Sequence, residues 1–107
     1  MLSTHILDTS TGTPAPGVEV LLEKRTGESW VELARQATNV DGRISFDCPR
    51  EPGRYRLTFG VETYWRSRGQ TPFFLDVPVA FEISDVARKY HVPLLLSPFG
   101  LSTYRGS

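Results

Sequence analysis

His5 and His91 are the two histidines of the chain, and they are the side chains best suited to proton transfer near neutral pH. An imidazole with an ordinary pKa of about 6.5 is mostly neutral at pH 7, so it can accept a proton from a bound molecule. Two histidines do not form a structural zinc site without further ligands, and Cys48 is the only cysteine. The residue types therefore favour proton transfer over metal chemistry, and we expect neither a metal nor a cofactor.

Two other features bring polar groups whose role the local sequence leaves open. The segment Tyr104–Ser107, with the sequence YRGS, carries a phenol, a cation, a hydroxyl and the terminal carboxylate. Arg43 follows directly on the turn signal Asp41-Gly42. Terminal residues are most often a frayed tail, a single arginine beside a turn is most often solvated, and a lone histidine in a strand is most often structural. Whether these residues have a function must therefore be judged from all of them together.

Composition restricts the partners of the protein. The 107 residues suffice for one domain with one core, which would bury roughly 60 to 70% of the surface that the unfolded chain exposes. The 12 Lys and Arg residues balance 12 Asp and Glu residues without a basic stripe, so we expect no nucleic acid partner. No apolar run approaches the roughly 18 residues of a membrane span, and no signal peptide precedes the first strand. A soluble, cytoplasmic protein without membrane contact is expected.

The elements that must position the candidate residues are mostly β-strands. Val18, Val20 and Leu22 alternate with more polar neighbours, a period of two that is typical of a strand with one buried face. Similar alternation returns further along the chain, at residues 31–33, 44–46 and 54–59. Proline and glycine turn signals separate these runs. Short strands divided by regular turns predict an all-β sandwich or barrel.

The sequence also predicts one short helix, one edge strand and one hairpin. The apolar residues of the segment 61–68 share a helical face, and Gly69 lies where a helix C-cap would place it. Residues 73–83 predict a strand at a sheet edge, because Pro78 has no amide hydrogen to donate. Asp41-Gly42 predicts a tight hairpin, since glycine accepts the positive φ that such turns need.

The predicted strands at the two ends of the chain carry the histidines. The first strand, over residues 2–8, has His5 on the same face as Ser3. His91 opens the penultimate strand, and a proline turn joins that strand to a last one over residues 101–107. The chain is therefore predicted to end in a strand. Alternation alone does not show whether the two histidines are close in space.

Four stretches of the sequence together resemble one known family. They are LSTHILD at the start, TNVDGR in the middle, FGVETYWRSRGQTPFFLDVPVAFEISD after it and YHVPLLLSPFGLSTYRGS at the end. These stretches resemble the transthyretin-related family of 5-hydroxyisourate hydrolases of urate breakdown, from the second residue of the chain to the last. The terminal YRGS is the most specific of them, since it distinguishes the hydrolases from the hormone-carrying transthyretins of the same fold.

The resemblance implies a fold, an assembly and a set of site residues. The fold would be a transthyretin-like, or prealbumin-like, sandwich of two four-stranded sheets with one short helix, in a single domain over residues 1–107. The assembly would be a homotetramer, a dimer of dimers, with active sites in the clefts where dimers meet. The residues implied as catalytic are His5, Arg43, His91 and Ser107, and those implied as substrate-binding are Tyr104, Arg105 and Gly106.

The chemistry implied by the resemblance is the opening of a ring of 5-hydroxyisourate by water, without a metal, to give 2-oxo-4-hydroxy-4-carboxy-5-ureidoimidazoline. A histidine would accept the proton of the water, while Arg43 would hold substrate oxygens and Ser107 would help to position the substrate. Either histidine can be the base at this point. The alternative is a binding module of the same fold, a carrier of small aromatic ligands or an assembly domain, which leaves YRGS unexplained.

Overall fold

Two β-sheets pack face to face in the protein, and the computed structural model describes all of residues 1–107. In chain order the elements are β1 (Leu2–Asp8), β2 (Thr13–Pro14), β3 (Glu19–Thr26), β4 (Ser29–Ala37), β5 (Arg43–Phe46), β6 (Gly53–Phe59), α1 (Val61–Ser67), β7 (Val77–Ile83), β8 (Tyr90–His91), β9 (Leu94–Ser97) and β10 (Gly100–Thr103). The all-β sandwich with one short helix that the sequence predicts is confirmed.

The two sheets differ in how their strands pair. One sheet is antiparallel and has the order β4-β3-β6-β7. In the other, β1 pairs antiparallel with β2 and β5 and parallel with β8 and β9, while β10 lies beside β9. This mixed sheet contains six strand segments where the sequence predicts four strands. The count rises because β2 adds a two-residue segment and Pro93 divides the penultimate strand into β8 and β9, since proline cannot donate to the ladder.

The core lies between the sheets and contains 20 buried apolar side chains. Val18, Val20 and Leu22 all belong to it, as their alternation predicts. Helix α1 packs on the same core through Tyr64 and Trp65. This packing explains why a helix of seven residues is stable, because so short a helix is marginal by itself in water. No helix of the chain is long and apolar enough to span a membrane.

The turn before β5 forms as predicted, but the predicted hairpin is wrong. Gly42 has a φ of 71°, and its amide donates a hydrogen bond to the carbonyl oxygen of Asn39 at 2.9 Å. The strands on either side do not pair with each other, because β4 lies in the antiparallel sheet whereas β5 pairs with β1 in the mixed sheet. Local turn chemistry specifies a reversal of the chain but not the partner of the strand that follows. The turn therefore carries the chain from one sheet to the other.

Two further boundaries differ from those that the sequence predicts. The edge strand β7 begins only at Val77, because the amide of Phe73 donates to the carbonyl oxygen of Pro98 at 2.9 Å instead of joining the sheet. The last strand, β10, ends at Thr103 and does not continue to residue 107. The residues after Thr103 therefore belong to no regular strand.

Replacing Gly42 by alanine should destabilise the protein more than replacing Gly12 does. The two glycines have φ values of 71° and 73°, and such a φ costs an alanine about 1–2 kcal/mol. An added Cβ at Gly42 would also come within 2.5 Å of the carbonyl oxygen of Ile6, whereas nothing lies within 4 Å at Gly12. We expect the free energy of unfolding, measured by urea denaturation, to fall by about 1 kcal/mol in Gly12→Ala and by at least about 3 kcal/mol in Gly42→Ala. Equal losses would contradict this account of the turn.

Candidate active site

A cleft of about 530 Å³ opens beside the end of β1 that contains Ser3. Its walls come mainly from β1, β5 and β8, and Ser107 also lines it. The residues that line it include Ser3, Arg43, Ser45, Lys89, His91 and Ser107. The cleft thus gathers cations, hydroxyls and one imidazole, and no Asp or Glu is among its lining residues.

The register of three strands brings these residues together. In the centre, Ser3 of β1 is paired with Ser45 of β5 on one side and with His91 of β8 on the other. His5 lies two residues further along the same face of β1 and is paired with Arg43. Directly paired residues share a face of the sheet and lie about 5 Å apart. Ser3 and His91 therefore become neighbours although 88 positions separate them in the sequence.

His91 is half-buried, and contacts with β1 fix both its main chain and its ring. The amides of its two neighbours in sequence, Tyr90 and Val92, donate to the carbonyl oxygens of Met1 and Ser3 at 2.8 and 3.0 Å. The hydroxyl of Ser3 lies 2.9 Å from Nδ1 of the imidazole. The other ring nitrogen, Nε2, has no hydrogen-bonding partner within the chain. Nδ1 of His91 is thus in contact with Ser3, and Nε2 remains available to a ligand.

The surroundings of His91 lower the pKa of its imidazole below the ordinary value of 6.5. Burial is the main cause, because it disfavours the charged ring, and the positive charges of Arg43 and of protonated His5 act in the same direction. The main chain of Ser3 opposes them and raises the pKa, because its carbonyl favours the protonated ring. At pH 7 His91 is therefore neutral, which is the form that accepts a proton.

Arg43 presents a cation that has no carboxylate partner. Its side chain is exposed and takes part in none of the ion pairs of the chain. The side chain of Asn39 shapes the turn before it, since its Oδ1 accepts the amides of Asp41 and Arg43 at 2.9 and 3.0 Å. A guanidinium free of internal partners can bind oxygen atoms of a ligand through a planar pair of donors.

The segment Tyr104–Ser107 is held against His91 by its glycine. The amide of Gly106 donates to the carbonyl oxygen of His91 at 2.8 Å, in an isolated antiparallel bridge. The next residue, Ser107, consequently lines the cleft. The segment is therefore attached to the fold, and its last residue forms part of the candidate site.

Tyr104 and Arg105 lie apart from the cleft, although the sequence groups them with Gly106 and Ser107. Both line a smaller cavity of about 180 Å³, which Phe81 and Tyr90 also line. The guanidinium carbon of Arg105 is 5.5 Å from the centroid of the Tyr90 ring, a distance typical of a cation–π contact. His91 borders both cavities and separates these two residues from the larger cleft.

Of the predicted catalytic residues, the structure brings Arg43, His91 and Ser107 into one cleft. His5 lies beside Arg43 but is not among the lining residues. Ser3 contacts His91 directly, yet the sequence indicates only that it shares a face with His5, because its neighbour across the sheet depends on the pairing of β1 with β8. Nowhere do three His, Cys, Asp or Glu side chains form a group that could hold a metal ion.

The chain is similar to known proteins over its whole length. Residues 2–106 match the family described as the HIUase/Transthyretin family. The 5-hydroxyisourate hydrolase of Salmonella dublin is 49% identical over 110 residues, which cover 100% of this chain and 81% of that protein.

Solved structures show the same sandwich. The structure of Klebsiella pneumoniae 5-hydroxyisourate hydrolase matches with a TM-score of 0.87 at 42% identity, and the match covers 99% of this chain and 98% of that one. Sea bream transthyretin in complex with thyroxine matches with a TM-score of 0.92 at 33% identity, covering 98% of this chain and 93% of that one. The transthyretin-like fold predicted from the sequence is confirmed, and the chain belongs to the HIUase/transthyretin family.

Proposed function

We propose that the chain hydrolyses 5-hydroxyisourate in urate breakdown and gives 2-oxo-4-hydroxy-4-carboxy-5-ureidoimidazoline. Relatives that match along almost the whole chain, at 49% and 42% identity, carry the name 5-hydroxyisourate hydrolase, and by this likeness the chain is an enzyme of the same kind. The observation that carries the proposal is that a neutral imidazole, an unpaired guanidinium and a serine hydroxyl line one cleft. Attack of water on a ring acyl C–N bond needs a base and donors for the developing oxyanion.

His91 is the base in this proposal. The sequence leaves His5 and His91 as equal candidates, and the geometry favours His91 because it lines the cleft and keeps Nε2 free. Nε2 accepts a proton from a water molecule while the water oxygen bonds to the ring carbonyl carbon. The C–N bond of the tetrahedral intermediate then breaks, and the imidazolium returns the proton to the departing nitrogen. A carboxyl group and an N–H group result, and His91 is neutral again.

Arg43 and Ser107 stabilise the charge that this step creates. The guanidinium of Arg43 binds the carbonyl oxygen on which negative charge develops, and the hydroxyl of Ser107 donates a hydrogen bond that orients the ring. His5 is paired with Arg43 across the sheet, and its charge lowers the pKa of His91. In this assignment His5 acts on the electrostatics of the cleft and not as the proton acceptor.

The three remaining residues of the predicted site act from different positions. Gly106 supports His91 through its main chain. Tyr104 and Arg105 line the neighbouring cavity, where Arg105 contacts the Tyr90 ring, and neither lines the larger cleft of the same chain. Direct contact of these two residues with substrate stays a prediction from the sequence.

A carrier of small aromatic ligands is the competing function, since sea bream transthyretin with thyroxine has the same fold. Fold by itself does not separate the two functions. The cleft of this chain favours hydrolysis, because Arg43 and Lys89 make it positive and the neutral His91 adds a polar group, whereas a binding site for a large apolar ligand is lined mainly by apolar side chains.

We further propose that the protein is a homotetramer, a dimer of dimers. The edge strands β7 and β10 are unpaired on their outer sides, and the strongly or partly exposed apolar residues Phe73, Phe99 and Leu101 lie near them. Unpaired edges of this kind favour association with another chain. Static light scattering should give a mass four times the 12.0 kDa of the chain. A stable monomer with full activity would contradict the proposal.

Replacing His91 by asparagine should remove most of the turnover and leave the fold intact. Asparagine keeps a polar group of similar size but cannot act as the base, and general base catalysis contributes about 100- to 10,000-fold to a rate. We expect kcat to fall by such a factor, measured from the ultraviolet decay of 5-hydroxyisourate that urate oxidase generates in situ.

The spontaneous decay of the substrate and the thermal unfolding of the variant are the controls for this experiment. A parent protein that does not exceed spontaneous decay would refute the hydrolase function. A folded His91→Asn variant that works at the parent rate would show instead that another group is the base.

The acid limb of the kcat/KM profile should lie below pH 6.5 and should move to higher pH when Arg43 loses its charge. Activity falls as the pH drops through the pKa of His91, which the site lowers from 6.5. Arg43→Gln removes a charge that disfavours the protonated ring, so the pKa rises and activity is lost at a higher pH. Arg25→Gln is the matched control, because Arg25 stacks on Trp30 outside the cleft. If the acid limb of Arg43→Gln stays at the pH of the parent, or moves to lower pH, the role of His91 as the base is contradicted.

A further inference from the structure

Two residues contact the imidazole of His91 from different sides, and neither has been given a catalytic role. On one side lies the hydroxyl of Ser3, and on the other lies the main chain of Gly106. We propose that Ser3 and Gly106 are positioning residues that together hold the His91 ring, and its tautomer, in the orientation that proton transfer requires. The proposal rests on the function proposed above, in which His91 is the base.

Ser3 controls the nitrogen that faces away from the reaction. Its hydroxyl oxygen lies 2.9 Å from Nδ1 and can accept a hydrogen bond from a proton on that nitrogen. A partner that accepts a hydrogen bond at one ring nitrogen favours the tautomer of the neutral imidazole with the proton on that nitrogen. With Nδ1 protonated and donating to the hydroxyl oxygen of Ser3, Nε2 keeps its lone pair and can accept the proton of water.

Gly106 controls the opposite edge of the ring. A Cβ added at this glycine would lie 2.6 Å from Cδ2 of His91, 3.2 Å from Cγ and 3.3 Å from Cβ, so no larger residue fits while the ring stays in place. The φ of Gly106 is not positive, and a side chain would therefore be acceptable to its own backbone. The glycine is required by its contact with the imidazole. Because Cδ2 is bonded to Nε2, this contact fixes the edge that carries the reacting nitrogen.

The two contacts act on a side chain whose main chain is already fixed. The amide of Gly106 donates to the carbonyl oxygen of His91, and the amides of Tyr90 and Val92 donate to the carbonyl oxygens of Met1 and Ser3. Only the two side-chain torsions of His91 remain free, and Ser3 and Gly106 restrict rotation of the ring from opposite edges. A displacement of about 1 Å in a reacting group can cost about 100-fold in rate, so restricting the ring has a direct effect on kcat.

The Ser3 contact is tested by comparing Ser3→Ala with Ser3→Thr. We expect Ser3→Ala to lower kcat by about 10- to 100-fold with little change in KM, since orienting partners of catalytic histidines have effects of this size in related settings. Ser3→Thr keeps the hydroxyl and should restore kcat to within a few-fold of the parent. Ser102→Ala is the control, because it removes an exposed hydroxyl from β10 of the same sheet, outside the cleft. A Ser3→Ala variant with the parent kcat would overturn this part of the proposal.

The Gly106 contact is tested by comparing Gly106→Ala with Gly100→Ala. An added Cβ at Gly100 meets only the hydroxyl of Ser97, at 3.5 Å, and this glycine also has no positive φ. We expect kcat to fall by about 100-fold in Gly106→Ala, because the ring must move, and to be unchanged in Gly100→Ala. Equal activity of the two variants would overturn the role of Gly106.

Nitrogen NMR of His91 separates a positioning role from a loss of stability and from a failure of the proposed function. In the parent, the neutral ring should carry its proton on Nδ1. Ser3→Ala should give a mixture of tautomers, Gly106→Ala should shift both nitrogen resonances, and the two control variants should match the parent. Unchanged His91 resonances in Ser3→Ala and Gly106→Ala would overturn the proposal, whatever their activity. Because this readout needs no substrate, it decides how the ring is held even if the parent does not hydrolyse 5-hydroxyisourate.

Discussion

The pairing of β1 with strands on both of its sides is the constraint on which the rest of the structure depends. Every second residue of β1, from Leu2 to Asp8, is at most 2% exposed, so one face of this strand is committed to the core. A slip of one residue would expose that face and bury Ser3 and His5 in its place. The burial of apolar groups thus also determines which polar groups face outward. The neighbours of those polar groups, on β5 and β8, follow from the same register.

The candidate site has an excess of positive charge. Arg43 and Lys89 line the cleft together with His91, and no carboxylate side chain lines it with them. A carboxylate next to His91 would raise the pKa of the imidazole, whereas the burial and cations that are present lower it. The same excess charge favours an oxygen-rich ligand that accepts hydrogen bonds. One electrostatic arrangement therefore keeps His91 neutral and makes the cleft attractive to such a ligand.

The segment Tyr104–Ser107 shows how a short irregular stretch becomes part of a site. One main-chain hydrogen bond, from Gly106 to His91, ties it to the strand beside it. The contact of Arg105 with the Tyr90 ring and that of Gly106 with the His91 ring add to this bridge. With the segment held in this way, Ser107 lines the cleft while Tyr104 and Arg105 line another cavity.

The sequence by itself determined the features that depend on nearby residues: the alternating strands of the core, the helix over residues 61–68 and the stretches from LSTHILD to YRGS that indicate the family. The tertiary structure alone decided that the turn at Asp41-Gly42 crosses between sheets, that His91 rather than His5 lines the cleft, and that Ser3 contacts its ring. The alternation of buried and exposed side chains along a strand has a period of two residues, so a short stretch of sequence is enough to recognise it. The register of β1 with β8 joins residues 88 positions apart, and it is selected by the burial of both strands against the whole core, which no local pattern encodes.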